Sequence, residues 1–144
     1  MEQVASLMPT APASRPRAGL GLARKQRYDA YIDSPQWRQR REEWDAEQRR
    51  RSPARPVCAA CGNLWDLRRD DLHHVEYSRL GAERHEDLVP LHRRAHDEVH
   101  HLLDRLGLRR RMPLRLANLH VLALARRTPP CDAAVAARRV ASEG

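Results

Sequence analysis

The chain has 144 residues and carries 27 Lys and Arg against 19 Asp and Glu, a net charge of +8 with a pI of about 10.6. Aromatics make up 4%, Phe is absent and mean hydropathy is −0.78, so the core is small and part of the chain is expected to stay disordered or to be held by metal. No apolar run reaches the length of a membrane span, the N-terminus lacks the apolar stretch of a secretory signal, and three cysteines do not make a disulfide scaffold; the expectation is a soluble, cytoplasmic, basic protein.

Residues 1–19, rich in Pro, Ala and Arg without periodicity, read as a disordered basic arm. A leading helical segment is expected over 20–57, where Ser34 as N-cap and Pro35 at the first helical position predict a helix from Pro35 to about Arg50. Trp37, Arg41 and Trp44 share one face of it, the two Trp as core anchors, and Ser52-Pro53 and Pro56 end it. Cys58-Ala-Ala-Cys61-Gly62 has the shape of a metal knuckle. Leu72-His73-His74-Val75 and Leu88-Val89-Pro90-Leu91 read as strands on either side of a polar loop containing Gly81, with Trp65 and Tyr77 packing nearby.

From Arg93 to about Leu106, the spacing of Val99, Leu102, Leu103 and Leu106 predicts an amphipathic helix, stopped by Gly107. A further helix is expected from Pro113 to Arg127, and the Ala-rich stretch Asp132 to Val140 reads as a last one. Charge is uneven along this order: residues 1–57 carry a net +5, residues 58–106 a net −3 and residues 107–144 a net +6. All but one of the bases are arginine, which suits two-pronged contact with phosphate, so a nucleic acid is the expected partner and the flanks its expected attraction.

Most of the eight histidines fall between His73 and His101. His96 and His100 are four apart on the predicted helix, so one face can offer two imidazoles to one ion. His73 and His74 are adjacent in a predicted strand and point to opposite sides, so one can join that ion while the other is left for proton transfer. His85, His101 and His120 have no matched role and are expected at the surface.

In LHHVEYSRLGAERHEDLVPLHRRAHDEVH, residues 72–100, this set resembles the HNH endonucleases, whose ββα-metal (His-Me finger) fold is a hairpin followed by a helix. The likeness extends more loosely back through Cys58 and Cys61 to YIDSPQWRQRREEW, a leading helix of small bacterial and phage members. The resemblance implies an α+β protein with a ββα-metal module at residues 58–106, flanking helices and a basic helical extension over 107–144. It implies a metal-dependent DNA endonuclease that cuts a phosphodiester to leave a 5′-phosphate. His74 would be the general base that activates water, Asp87 would stand where the family has an Asn that holds that base, and His73, His96 and His100 would ligate the metal. Asp at 87 adds negative charge beside His74 and should raise its basicity.

One catalytic divalent cation is implied, with Mg²⁺, Mn²⁺, Ni²⁺ and Zn²⁺ all compatible with His ligands and water. Relatives of this type often complete a structural zinc site with a second C-x-x-C at the helix start. Here those positions are His92 and Ala95, so Cys58, Cys61 and His92 give three ligands, and Cys131 is read as too far along the chain to be counted on for the fourth. Arg93 and Arg94 at the helix start, together with Arg41, are candidate DNA contacts. The alternative reading is a catalytically inactive, zinc-stabilised DNA-binding module; target sequence, nicking or double-strand cutting, biological role and oligomeric state are not encoded in these motifs.

Overall fold

The structure, a computed structural model, describes residues 18–128, 130 and 131. Its elements, in order, are α1 (Ala18–Ile32), α2 (Pro35–Arg51), β1 (Asp71–His74), β2 (Leu88–Leu91), α3 (Arg93–Arg105), the single turn α4 (Leu108–Arg111) and α5 (Leu114–Arg127), with a short 3₁₀ turn at His85–Asp87 just before β2. The class is α+β: helices packed around one two-stranded antiparallel sheet. Among the described residues, no helix is long and apolar enough to cross a membrane. The expected arm lies mostly outside the described residues, as does the Asp132–Val140 helix, but Ala18 and Gly19 already belong to α1.

Helix α2 begins where its sequence dictates. Ser34 is extended, its hydroxyl accepts from the Trp37 N–H at 3.2 Å, and Pro35 occupies the first turn; such a cap stabilises a helix by about 1 kcal/mol. Gly107 ends the α3 segment at φ +60, a left-handed geometry that residues with a Cβ adopt at a cost.

The hairpin pairs Asp71 with Leu91, Leu72 with Pro90, His73 with Val89 and His74 with Leu88. Strand alternation then sorts its side chains into two clusters. Leu72 and Leu88 join Trp37, Trp44 and Trp65 on the side of α2. Val75 and Leu91 join Ala95, Val99, Leu102 and Leu103 of α3 and Ala117, Val121, Leu122 and Ala125 of α5 on the other. The chain beyond Gly107 therefore supplies much of the larger cluster, a packing role that its basic composition masks.

Candidate functional site

His73 lies on the α3 side of β1 and is fully buried, with its ring centroid 5.2 Å from that of His96 and 5.1 Å from that of His100. Its Nε2 is 2.6 Å from Oδ1 of Asn118, whose own Nδ2 donates to the carbonyls of Leu114 (3.0 Å) and Val75 (3.4 Å). The amide oxygen must then accept, so Nε2 of His73 carries the proton. Nδ1 keeps a bare lone pair, and that buried atom has no hydrogen-bond partner. His96 is oriented in a similar way, its Nδ1 donating to Asp71 at 3.1 Å and its Nε2 left as an acceptor.

Nε2 of His100 stands 3.1 Å from that Nε2, and the exposed guanidinium of Arg109 donates to Nδ1 of His100 at 3.1 Å. One ligand atom from each imidazole lies within 4.8 Å of the others, so the three could hold a metal ion. His73 and His96 each keep one unprotonated nitrogen, and His100 would offer its Nε2 only after a change of tautomer that gives up the bond from Arg109. Burial first, then the neighbouring imidazoles, push His73 well below the usual histidine range and His100 down to about 4. Those two imidazoles are therefore neutral near pH 7, the state in which imidazole binds metal.

His74 points to the other face, its side chain fully enclosed. Trp37 stacks on it at 4.7 Å, with Tyr28 edge-on at 5.6 Å and Tyr77 at 5.4 Å. The carboxylate that orients it is Glu83, with Oε1 3.0 Å from Nε2. Glu83 is held in turn by the Gly81 N–H (3.1 Å) and the Tyr31 hydroxyl (2.9 Å). Although burial raises the pKa of this carboxyl, the hydrogen bonds from His74, backbone N–H groups and Tyr31 outweigh burial and keep it below the ordinary range. Nδ1 of His74 is buried with no hydrogen-bond partner.

Asp87, expected to hold His74, instead takes Arg79 on both carboxylate oxygens and the Arg84 N–H at 2.8 Å. Only its backbone carbonyl serves β1, accepting from the Val75 N–H at 2.8 Å. The partners are local: the loop turns at Gly81, φ +89, whose N–H holds Glu83 at the imidazole, while Arg79 and the Arg84 N–H hold the Asp87 carboxylate.

The knuckle residues also find partners. Sγ of Cys61 lies 3.3 Å from Nδ1 of His92, and Sγ of Cys131 lies 3.2 Å from the same nitrogen. Cys131 is also 3.9 Å from Cys58, so its distance along the chain did not keep it from this group. The ligand atoms of Cys58, Cys61, His92 and Cys131 all fall within 4.8 Å of one another, a second set that could hold a metal ion. Burial pushes the Cys58 thiol up, but hydrogen bonds from His92 and from backbone N–H groups outweigh it and bring Cys58 down to about 6. All three cysteines are free thiols.

Of the candidate DNA contacts, Arg93 is exposed, at 3.9 Å from Asp71, and Arg94 is exposed and engaged in its own interaction. Arg41 is turned inward, where its Nη2 donates to the carbonyls of Leu67 (2.6 Å) and Asp70 (2.7 Å) and ties α2 to the segment before β1. His85 is likewise not a surface residue: it stacks on Trp44 at 4.9 Å and bonds to Glu47 and Gln48 of α2. His101 and His120 are exposed. A groove of about 470 Å³ beside the His74 enclosure is lined by Arg24, Arg27, Tyr28, Tyr77 and Leu114, among others. The α1 arginines were invisible to motif reading because α1 has no apolar periodicity. No family model, curated protein or solved structure matches the chain.

Proposed function

We propose that the protein is a metal-dependent endonuclease that hydrolyses DNA phosphodiesters, the activity implied by its resemblance to the HNH enzymes. The observation that carries this reading is the lone pair on Nδ1 of buried His73, without a partner and adjacent to His96 and His100. A buried imidazole nitrogen left unpaired costs stability, and a cation binding there would recover it. His73, His96 and His100 would hold a divalent cation, which when bound supplies charge stabilisation to the scissile phosphate and its leaving oxygen.

The chain's own residues supply the proton chemistry. Glu83 fixes the proton of His74 on Nε2, and Nδ1 is then the atom that takes a proton from the attacking water. Arg24 and Arg27 flank the groove that leads towards this imidazole, where they would receive backbone phosphates. Tyr28 of α1 packs edge-on against His74, so water and phosphate would reach Nδ1 only with a displacement of this ring.

The second reading, an inactive DNA-binding module, is favoured by that same enclosure of His74 beneath Tyr28, Tyr77 and Trp37. Cleavage of supercoiled plasmid by the purified chain in Mg²⁺, Mn²⁺, Ni²⁺ or Zn²⁺, with His74→Ala and His73→Ala alongside, separates the two. Metal-dependent nicking that disappears in both variants supports the nuclease. DNA binding without cutting under every metal establishes the binding module.

A further inference from the structure

We propose that Cys131, from beyond α5, is the fourth ligand of a structural Zn²⁺ site completed by Cys58, Cys61 and His92, and that the ion clasps the end of α5 to the knuckle. The site is distinct from the His73 cluster, and the proposal does not depend on catalysis.

Four observations carry it. The donor set, three sulfurs and one imidazole nitrogen, is that of closed structural zinc sites. Tetrahedral zinc with Zn–S bonds of about 2.3 Å places neighbouring sulfurs about 3.8 Å apart, and Cys58 and Cys131 stand at 3.9 Å as free thiols. The two S···N separations, 3.2 and 3.3 Å, bring both sulfurs onto the same nitrogen. Finally, that nitrogen is already committed as a ligand: Nε2 of His92 donates to the Leu64 carbonyl at 2.8 Å, leaving Nδ1 with its lone pair facing three thiols.

The backbone around the site is arranged to receive the ion. Gly62, at φ +73, turns the knuckle, and its N–H closes on the Cys58 carbonyl at 2.9 Å. The His92 N–H points at Sγ of Cys58 at 3.4 Å, and the Ala59 N–H bonds to the Pro90 carbonyl of β2 at 2.8 Å, so knuckle and hairpin are one unit. The end of α5 reaches this unit independently of Cys131, because Nε of Arg126 donates to the Ala59 carbonyl at 2.8 Å. Cys131 therefore arrives at a surface on which its helix is already docked.

The fourth ligand missing at Ala95 is thus replaced from a different direction. The metal closes a loop across α3, α4 and α5, and it pins the helix that carries Asn118 to His73. Three thiolates neutralise and exceed the ion's charge, and the net negative site sits beside Arg126.

The test uses the full chain in the His96→Ala/His100→Ala background, so that the imidazole cluster does not contribute metal. After gel filtration with Zn²⁺, metal analysis should find one zinc per chain, and Cys131→Ser should lower zinc affinity by at least tenfold. Co²⁺ alone should give a tetrahedral spectrum with a thiolate-to-metal charge-transfer band. In Cys131→His, which keeps a fourth donor and so guards against failure to fold, zinc should be retained while that band falls to two-thirds of its intensity. Unchanged zinc affinity in Cys131→Ser, or an unchanged band in Cys131→His, overturns the proposal, as does a chain that binds no zinc with all four residues intact. None of these readouts involves cleavage, so the nuclease reading can fail without this one failing, and the reverse.

Discussion

Oδ1 of Asn118 and Nε2 of His73 are 2.6 Å apart, although 45 residues separate them in the chain. A polar side chain buried on the core face of α5 thereby decides which nitrogen of a strand histidine is left to bind metal. Outer partners of this kind typically account for 10–100-fold in metal affinity. Asn118→Ala is therefore expected to weaken divalent-cation binding by roughly 10–100-fold, as read by titration calorimetry, while the hairpin persists in circular dichroism.

Glu83 and His74 form the second such pair. His74→Ala should lower the cleavage rate by about 10²–10⁴, the usual contribution of a general base. Glu83→Gln keeps the shape but loses the anion that orients the imidazole and stabilises its cationic form. It should lower the cleavage rate with metal affinity unchanged. An unaltered rate would show that the carboxylate does not act through His74.

Asp87 titrates for a different reason. Its hydrogen bonds with Arg79 come first, burial opposes them, and the balance holds the carboxyl below its ordinary range. A carboxylate depressed in the folded state contributes stability that is present above the unfolded value of about 3.9 and lost as pH falls through the folded one. Asp87→Asn should thus melt lower than the parent at pH 7, and the gap should narrow below about pH 4. Losing a hydrogen bond to a charged group costs about 1.5–3 kcal/mol, enough to register in a thermal scan.

Arg110 and Arg111, exposed on the single turn α4, test the contribution of the basic C-terminal part to DNA binding without removing α5. Each phosphate contact adds about 0.9 to the slope of log affinity against log salt. Arg110→Gln/Arg111→Gln should flatten that slope by up to about 1.8, with melting temperature unchanged. Deleting residues 107–144 would not be an equivalent test, because Ala117, Val121, Leu122 and Ala125 would leave the core with them.

The local signals in the sequence were direct. Ser34-Pro35 marked the start of α2, two short runs with apolar ends on either side of a polar loop marked the strands, and apolar spacing marked α3, because each is a short-range consequence of backbone geometry. The i, i+4 pair His96 and His100 and the opposite orientation of His73 and His74 follow from the same periodicities. What stayed hidden are choices made between distant or competing groups. Glu83 and Asp87 are both acids between the strands, and which one reaches His74 is settled by the folded loop, where Arg79 takes Asp87 and the Gly81 N–H holds Glu83. Asn118 looks like a chance polar residue in an apolar helix until the helix docks. Cys131 meets His92 across 39 residues, a contact set by α5 packing rather than by motif spacing. Helix α1 carries no apolar stripe to announce it; it is fixed by Tyr28 and Tyr31 at one end, against His74 and Glu83.

The division of labour between the two faces of β1 has a consequence for how this chain can change. Asp71, His73 and Val75 serve one face and Leu72 and His74 the other, so every side chain in the strand is assigned by whether its number is odd or even. Deleting or inserting one residue inside β1 inverts the parity of everything on one side of the change. The imidazole now beside His96 and His100 would then lie among the tryptophans, and the one held by Glu83 would face α3. A change of two residues within the strand keeps both assignments, whereas a change of one exchanges them.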